Sequence, residues 1–202
     1  ELAKREVVRV QDLDKLLIVD PGGFAARLVE DRARAACTVV ADDGKGHKFF
    51  LDCYSEQDTF LAAIKNIIVL TQKYNPRKIY VERAGQQAAF AQLLRSELEK
   101  VGLRTPVDDT TCKPGGQPKE VRILEMEPYF QRGEVYCGTG PAFHEFRTQY
   151  SQFPRAARLD VLDVLGYWPR LMRKVSAPLV DQQARRAQEL SNYRARRSWR
   201  HQ

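Results

Sequence analysis

The chain of 202 residues is long enough for one well-packed domain with an appendage and too short for two large domains. Its composition, 43% hydrophobic and 29% charged, is typical of a soluble globular protein, and no apolar run approaches the roughly 18 residues of a membrane span, so no membrane partner is expected. The net charge of +7 lies mostly in residues 173–202, where eight Lys and Arg residues outnumber two acids, so the rest of the chain is close to neutral.

The first part of the chain predicts four strands and one helix. Residues 15–20 (KLLIVD) form an apolar run that ends at an acid and a Pro-Gly-Gly turn, which is typical of a buried strand. Residues 34–41 and 48–54 flank the turn sequence DDGKG and predict a hairpin, so the first three strands form an antiparallel meander. Apolar residues at helical spacing predict a helix over 56–74, and residues 77–82 predict a fourth strand.

The second part of the chain predicts mostly helices. Residues 103–107 predict a fifth strand, and residues 134–137 resemble another short one. The predicted helices span residues 86–101, 118–131, 142–152 and 156–168. This order predicts an α/β fold in which a mixed five-stranded sheet, three antiparallel strands followed by parallel ones, is flanked by helices. The same element order is found in RNase H-like proteins.

Four acids occupy positions at which a metal site can form. Asp20 and Glu82 each end an apolar strand, while Asp160 and Asp163 stand three residues apart on the last amphipathic helix and share a face. Burying unpaired carboxylates costs several kcal/mol each unless a cation compensates. Carboxylate oxygens suit Mg²⁺ or Mn²⁺ rather than zinc, and two such ions roughly 4 Å apart can promote phosphodiester hydrolysis. The four acids therefore predict a two-metal site.

Each acid also has a structural explanation when it is taken singly. Asp20 is suited to begin a turn, and Glu82 could form a surface ion pair with Arg83. The two acids of the last helix could be solvated and paired with Arg155 or Arg158. The order of the acids along the chain, on strand one, strand four and the final helix, favours the metal site.

The cysteines and histidines do not predict a zinc site, because they show neither a CxxC pair nor zinc-ligand spacing. Two of the cysteines lie in apolar strand-like stretches, where reduced and buried thiols are expected, as in a reducing compartment. The residues concerned are Cys37, Cys53, Cys112, Cys137, His47, His144 and His201.

Four sequence blocks carry a family resemblance. They are residues 18–22 (IVDPG) with 31–35 (DRARA), 79–83 (IYVER) with 86–87 (QQ), 119–123 (KEVRI) through 128–130 (PYF) to 133–136 (GEVY), and 153–154 (FP) with 159–167 (LDVLDVLGY). Together they resemble the RNase H-like nuclease domain of phage and other viral terminase large subunits, over most of residues 15–173. The third block is the most specific, because it contains no predicted catalytic acid. The family often has two adjacent acids where this chain has Leu159 and Asp160.

The resemblance implies a divalent-metal-dependent DNA endonuclease that cleaves concatemeric viral DNA during genome packaging. Asp20 would bridge two Mg²⁺ or Mn²⁺ ions, Glu82 would hold one, and Asp160 with Asp163 would hold the other. The D-x-x-D spacing of the last pair also occurs in Holliday-junction resolvases of the same superfamily. Which of the two is the primary ligand stays open.

The implied partners are double-stranded DNA, a terminase ATPase domain, a small terminase subunit and a portal protein, in the cytoplasm of an infected host cell. No GxxxxGK[ST] phosphate loop occurs, so this chain is not the packaging motor itself. Because the first residue is Glu1 rather than Met, we expect a piece of a longer protein. The expected organisation is a linker from an ATPase domain (1–14), the nuclease domain (15–175) and a basic C-terminal tail (176–202).

Basic residues that could contact DNA lie in a loop region and in the tail. A phosphate contact and a solvated loop explain the two lysines nearly equally well. The arginine-dense tail could follow a phosphate backbone, and it could equally meet another packaging protein. The candidates are Lys113, Lys119, Arg194, Arg196 and Arg197.

Two other functions compete with the terminase nuclease. A Holliday-junction resolvase or transposase-like nuclease would share the fold, and selective cutting of junctions by a dimer would favour it. A non-catalytic module that binds DNA or the portal belongs to another class. The complete set of four acids argues against that module, and a metal-dependent nicking assay discriminates between them.

Overall fold

One mixed sheet of six strands forms the centre of the computed structural model, which describes residues 8–22, 34–56, 59–83, 88–113 and 117–172. The strands are β1 (Asp14–Asp20), β2 (Ala35–Asp42), β3 (Lys48–Glu56), β4 (Lys78–Val81), β5 (Val107–Asp108) and β6 (Val135–Cys137). Their order across the sheet is β5-β4-β1-β2-β3-β6. The predicted tail, with Arg194, Arg196 and Arg197, lies outside the described residues, as does most of the predicted linker.

The pairing of the strands confirms the predicted topology at all but one edge. β2 pairs antiparallel with both β1 and β3, whereas β4 pairs parallel with β1 and with β5. The predicted count of five strands is wrong, because β6 adds a sixth strand parallel to β3, with Val135 opposite Lys48. This strand has three residues that are exposed or half-buried, and its partner lies far away in the sequence, so no local pattern indicates the pairing.

The helices cover both faces of the sheet. They are α1 (Phe60–Tyr74), α2 (Ala88–Lys100), α3 (Lys119–Leu124), α4 (Glu127–Gln131), α5 (His144–Gln152), α6 (Asp160–Leu165) and α7 (Trp168–Met172). Among the described residues, none of these helices is long and apolar enough to cross a membrane.

Two helix predictions need correction. The helix expected over 118–131 is two helices, because Pro128 has no backbone N–H to donate to an uninterrupted helix and instead lies in the first turn of α4. The helix expected over 156–168 does not begin until Asp160. There the side-chain amide oxygen of Gln149 accepts hydrogen bonds from the backbone N–H groups of Val161 (3.0 Å) and Leu162 (3.2 Å). These N–H groups have no partner within the helix, so α5 caps the start of α6.

The apolar core explains why β1 is buried on both faces. On one face Leu17 and Val19 belong to a buried cluster that includes Ile64 of α1 and Phe90 of α2. On the other face Leu16 and Ile18 are fully buried, and α6 packs against β1 and β2. A central strand covered on both sides reads as a continuous apolar run, which is the pattern of residues 16–19. Asp20, the acid that follows this run, therefore lies buried in the interior of the protein.

Two of the cysteines lie in the interior of the sheet. None of the four, all within the described residues, forms a disulfide, and Cys37 of β2 and Cys53 of β3 are buried. Burial raises the pKa of the Cys53 thiol to about 12, so it stays protonated at neutral pH.

Candidate metal centre

Three acids meet where the parallel strands β1 and β4 end. Asp20 is the last residue of β1, and Glu82 directly follows β4, whose Val81 lies opposite Val19. Asp163 reaches the same place from α6. One carboxylate oxygen from each acid lies within 4.8 Å of the others. All three side chains are buried, and the fold therefore concentrates three carboxylates in a small volume.

The turn after β1 orients Asp20. The backbone N–H of Gly22 donates to Asp20 Oδ1 over 2.8 Å. Gly22 adopts a φ of 70°, and a Cβ at this position would lie 2.6 Å from the carbonyl oxygen of Arg34, so the turn requires glycine. Burial raises the pKa of Asp20, and the nearby charge of Asp163 raises it further, while the Gly22 hydrogen bond opposes them.

The sheet fixes the position of Glu82, and few groups around it stabilise its negative charge. Its backbone N–H donates to the carbonyl of Val19 over 2.7 Å, which extends the β1–β4 pairing to the site. Its Oε2 atom is buried and has no hydrogen-bond partner among the described residues. Burial, together with the charges of Asp20 and Asp163, raises the pKa of Glu82 to about 7. A carboxylate in this state gains most from a cation.

Two cations from α3 contact the third acid. The guanidinium of Arg122 donates to Asp163 Oδ1, and the ammonium of Lys119 lies 2.9 Å from Asp163 Oδ2. Arg122 is 3% exposed and packs 4.3 Å from the ring centre of Tyr167, whereas the Lys119 side chain is 54% exposed. Asp163 therefore pairs with neither Arg155 nor Arg158, the surface partners considered from the sequence.

Asp160 lies one helical turn before Asp163, at the start of α6, outside the group of three. It is 9% exposed, and its Oδ2 atom has no hydrogen-bond partner in the described part of the chain. Burial raises the pKa of Asp160, while the charges of Lys119, Arg158 and Arg34 oppose that rise. The structure thus brings Asp20, Glu82 and Asp163 together and places Asp160 beside them.

The remaining predicted residues and two unpredicted ones complete the site. Lys119, a predicted contact to phosphate, lies beside Asp163, and Lys113 is exposed. Sequence reasoning missed Arg122 and Tyr167 as members of the site. The family resemblance of residues 119–123 could have indicated Arg122, because this stretch resembles the family although it contains no acid of the predicted site.

The donor set fits a hard divalent cation. All candidate ligand atoms are carboxylate oxygens, which Mg²⁺ and Mn²⁺ prefer in proteins. Two of the acids present buried oxygen atoms that lack a hydrogen-bond partner within the described residues, namely Glu82 Oε2 and Asp160 Oδ2. Leaving such atoms without a partner is unfavourable, and a bound cation would compensate for it.

Comparisons with known proteins give one family match and several solved structures of low similarity. Residues 18–168 match the family described as the terminase RNaseH-like domain. No curated protein sequence matches the chain. Solved structures of low similarity include the fowlpox virus Holliday junction resolvase, at 10% identity and a TM-score of 0.49, over 79% of this chain and 99% of that one. Another is the Thermus thermophilus RuvC in complex with a Holliday junction substrate, at 14% identity and a TM-score of 0.35, over 75% and 88% of the two chains.

Proposed function

The chain belongs to the terminase RNase H-like domain family, and on this premise we propose that it is a divalent-metal-dependent DNA endonuclease. The observation that carries the proposal is the group of three buried carboxylates, Asp20, Glu82 and Asp163, whose oxygens lie within 4.8 Å of one another. Buried acids that only stabilise a fold are normally paired with donors. Here the three carboxylates approach one another, and Glu82 Oε2 has no donor among the described residues, which favours binding of a cation over a structural role.

Each residue of the site has a proposed task. Asp20, Glu82 and Asp163 would hold the cation, with Asp160 as a further ligand. When bound, the cation supplies Lewis-acid stabilisation of the charge that develops on the phosphodiester oxygens and favours ionisation of the attacking water. Burial of the carboxylates removes competing water, and the rigid ends of β1 and β4 fix the spacing between Asp20 and Glu82.

Binding of the nucleic acid would depend on basic side chains around this centre. Lys119 is half-exposed beside the acids, and Lys113 lies exposed on the segment before it. Contacts to phosphate position a duplex without reading its bases, so we expect cleavage with little sequence preference. The biological substrate we propose is concatemeric viral DNA during genome packaging. The proposed partners are a terminase ATPase domain, a small terminase subunit and a portal protein.

Digestion of supercoiled plasmid tests the activity. The chain should nick and linearise the plasmid with Mn²⁺ or Mg²⁺, and should leave it intact with EDTA, because the carboxylates provide no catalysis without a cation. Undiminished cutting in EDTA, or cutting with Zn²⁺ alone, would contradict the mechanism. A four-way junction and a linear duplex of the same sequence, compared under the same conditions, separate the two nuclease functions. Strong preference for the junction would favour a resolvase function over the proposed packaging nuclease.

A further inference from the structure

Arg122 is the most deeply buried cation near the three carboxylates among the described residues. It projects from α3, donates to Asp163 Oδ1, and lies 4.3 Å from the ring centre of Tyr167. The backbone of Gly166 passes so close that a Cβ there would lie 2.9 Å from Arg122 Cγ. The guanidinium is therefore enclosed by α6 and the residues that follow it.

The surroundings of Arg122 connect two of the three acids. The Arg122 guanidinium contacts Asp163 directly and packs on one face of the Tyr167 ring. Burial raises the pKa of Glu82, and the charge of Arg122 opposes that rise. Because a planar guanidinium can donate to a carboxylate while it stacks on an aromatic ring, one side chain fixes both neighbours.

Lys119 provides a contrast with the same charge and the same partner. Its ammonium lies 2.9 Å from Asp163 Oδ2, but 54% of its side chain is exposed, so it can move away at little cost. Arg122, at 3% exposure, cannot. One cation is thus fixed in the structure, and the other can leave.

We propose that Arg122 is a positioning residue of the metal centre, holding the Asp163 carboxylate towards Asp20 and Glu82 so that the three acids can bind a divalent cation together. This inference rests on the proposed function. It also makes a prediction that is opposite to that of simple electrostatics. A positive charge beside a cation site repels the cation. If Arg122 contributed only its charge, its removal would strengthen metal binding, whereas loss of positioning weakens it.

Calorimetric titration of the full chain with Mn²⁺ in the absence of DNA tests the proposal. Arg122→Met should weaken Mn²⁺ binding by about tenfold or more. Lys119→Met removes the same charge from the same acid, and it should bind Mn²⁺ as tightly as the wild type or more tightly. Equal or tighter binding by Arg122→Met would overturn the positioning role. The wild type provides the separate check, since failure of the wild type to bind Mn²⁺ would contradict the proposed function itself.

Circular dichroism and melting in EDTA would show whether Arg122→Met folds. A second variant tests the proposal if it does not. Arg122→Lys keeps the charge but has no planar fork with which to contact Asp163 and Tyr167 together. We expect it also to bind Mn²⁺ more weakly than the wild type. Wild-type affinity in Arg122→Lys would show that the planar contact with Asp163 and Tyr167 is not needed, and it would overturn the proposal.

Cleavage offers a further readout that a general loss of stability would not reproduce. In the folded Arg122 variant, raising the Mn²⁺ concentration should restore most of the cleavage rate, while the KM for DNA stays unchanged. Cleavage that high Mn²⁺ does not restore, despite weaker Mn²⁺ binding, would contradict positioning of the metal site.

Discussion

Asp20 of β1 and Asp52 of β3 lie on the two strands that flank β2. Both acids are 9% exposed, but the groups that surround their carboxylates differ. Asp52 Oδ2 accepts hydrogen bonds from Lys73 Nζ and the Tyr74 hydroxyl, each over 2.9 Å. Asp20 accepts a backbone hydrogen bond from Gly22 and has two other carboxylates within 4.8 Å. Burial alone therefore does not identify a functional acid. The difference is whether the protein itself supplies the opposing charge.

Substituting the two acids gives the largest expected effect. Asp20→Asn should lower the rate of Mn²⁺-dependent plasmid cleavage by about a thousandfold, or on the order of 4 kcal/mol, because it removes a cation ligand. The metal-free protein should melt at the same temperature or higher, since the substitution relieves repulsion among buried carboxylates. Asp52→Asn is the matched control. It should keep wild-type cleavage and lose about 1 kcal/mol of stability with the charge-assisted hydrogen bonds.

Two results would contradict the distinction between Asp20 and Asp52. Near-wild-type cleavage by Asp20→Asn would remove that acid from the proposed metal site. A large drop in its melting temperature in EDTA would show that Asp20 is structural in the same way as Asp52.

A smaller effect is expected in the pH dependence of stability without metal. The pKa of Glu82 is raised to about 7 from an ordinary value of 4.5, so the folded protein binds this proton more tightly than the unfolded chain. The resulting stabilisation is fully present below pH 4.5 and is lost as pH rises through about 7. Lowering the pH from about 7.5 to about 5.5 in EDTA should therefore raise the melting temperature by about 5 °C.

Glu82→Gln serves as the control for this titration, because glutamine cannot titrate and should remove the part of the gain that Glu82 supplies. Acids that are already balanced behave in the opposite way. Burial acts to raise the pKa of Asp108, but hydrogen bonds from Thr110 and Thr111 dominate and hold it below its usual range. Its stabilisation is lost only when the pH falls below about 4. A melting temperature that is unchanged from pH 7.5 to 5.5 would contradict the assignment of Glu82 as an uncompensated acid.

The smallest expected effect on chemistry concerns the basic tail. All four proposed ligands precede Pro178, so deletion from that residue onward should leave cleavage at saturating DNA unchanged. DNA binding should weaken, and its salt dependence should flatten, because residues 178–202 carry six arginines against two acids. Titrations of DNA at several salt concentrations, on full and truncated chains, measure both. An unchanged salt slope would favour a protein partner for the tail, and lost cleavage would extend the site beyond the four acids.

The sequence was most informative about the sheet and the acids at its strand ends. The apolar runs before Asp20 and Glu82 predicted β1 and β4, and the turn sequence between β2 and β3 predicted the hairpin. These patterns work because the strands are buried and the turn is local. The predicted RNase H-like α/β fold is confirmed, and the roles of the four acids stay predictions.

The parts that the sequence did not predict depend on contacts between distant segments. The parallel pairing of β6 with β3 joins segments that are far apart in the chain and leaves no periodic pattern in either one. The burial of Arg122 also depends on contacts between distant segments. An arginine in an amphipathic helix predicts a solvated side chain, and only the packing of another helix against it buries that side chain. The start of α6 at Asp160 likewise depends on a cap from Gln149 in another helix.

The anchoring of Lys15 has a mechanical consequence. This lysine is 7% exposed, and its Nζ donates to the backbone carbonyls of Val10 (2.9 Å), Gln11 (3.3 Å) and Leu13 (2.8 Å). The segment that enters β1 is thus tied to the beginning of the strand, about 17 Å from Asp20 at its other end. Tension applied along the chain at Val10 would load β1 in shear against β2 and β4. Many hydrogen bonds would then share the force at once, so the strand that carries Asp20 would resist displacement under tension.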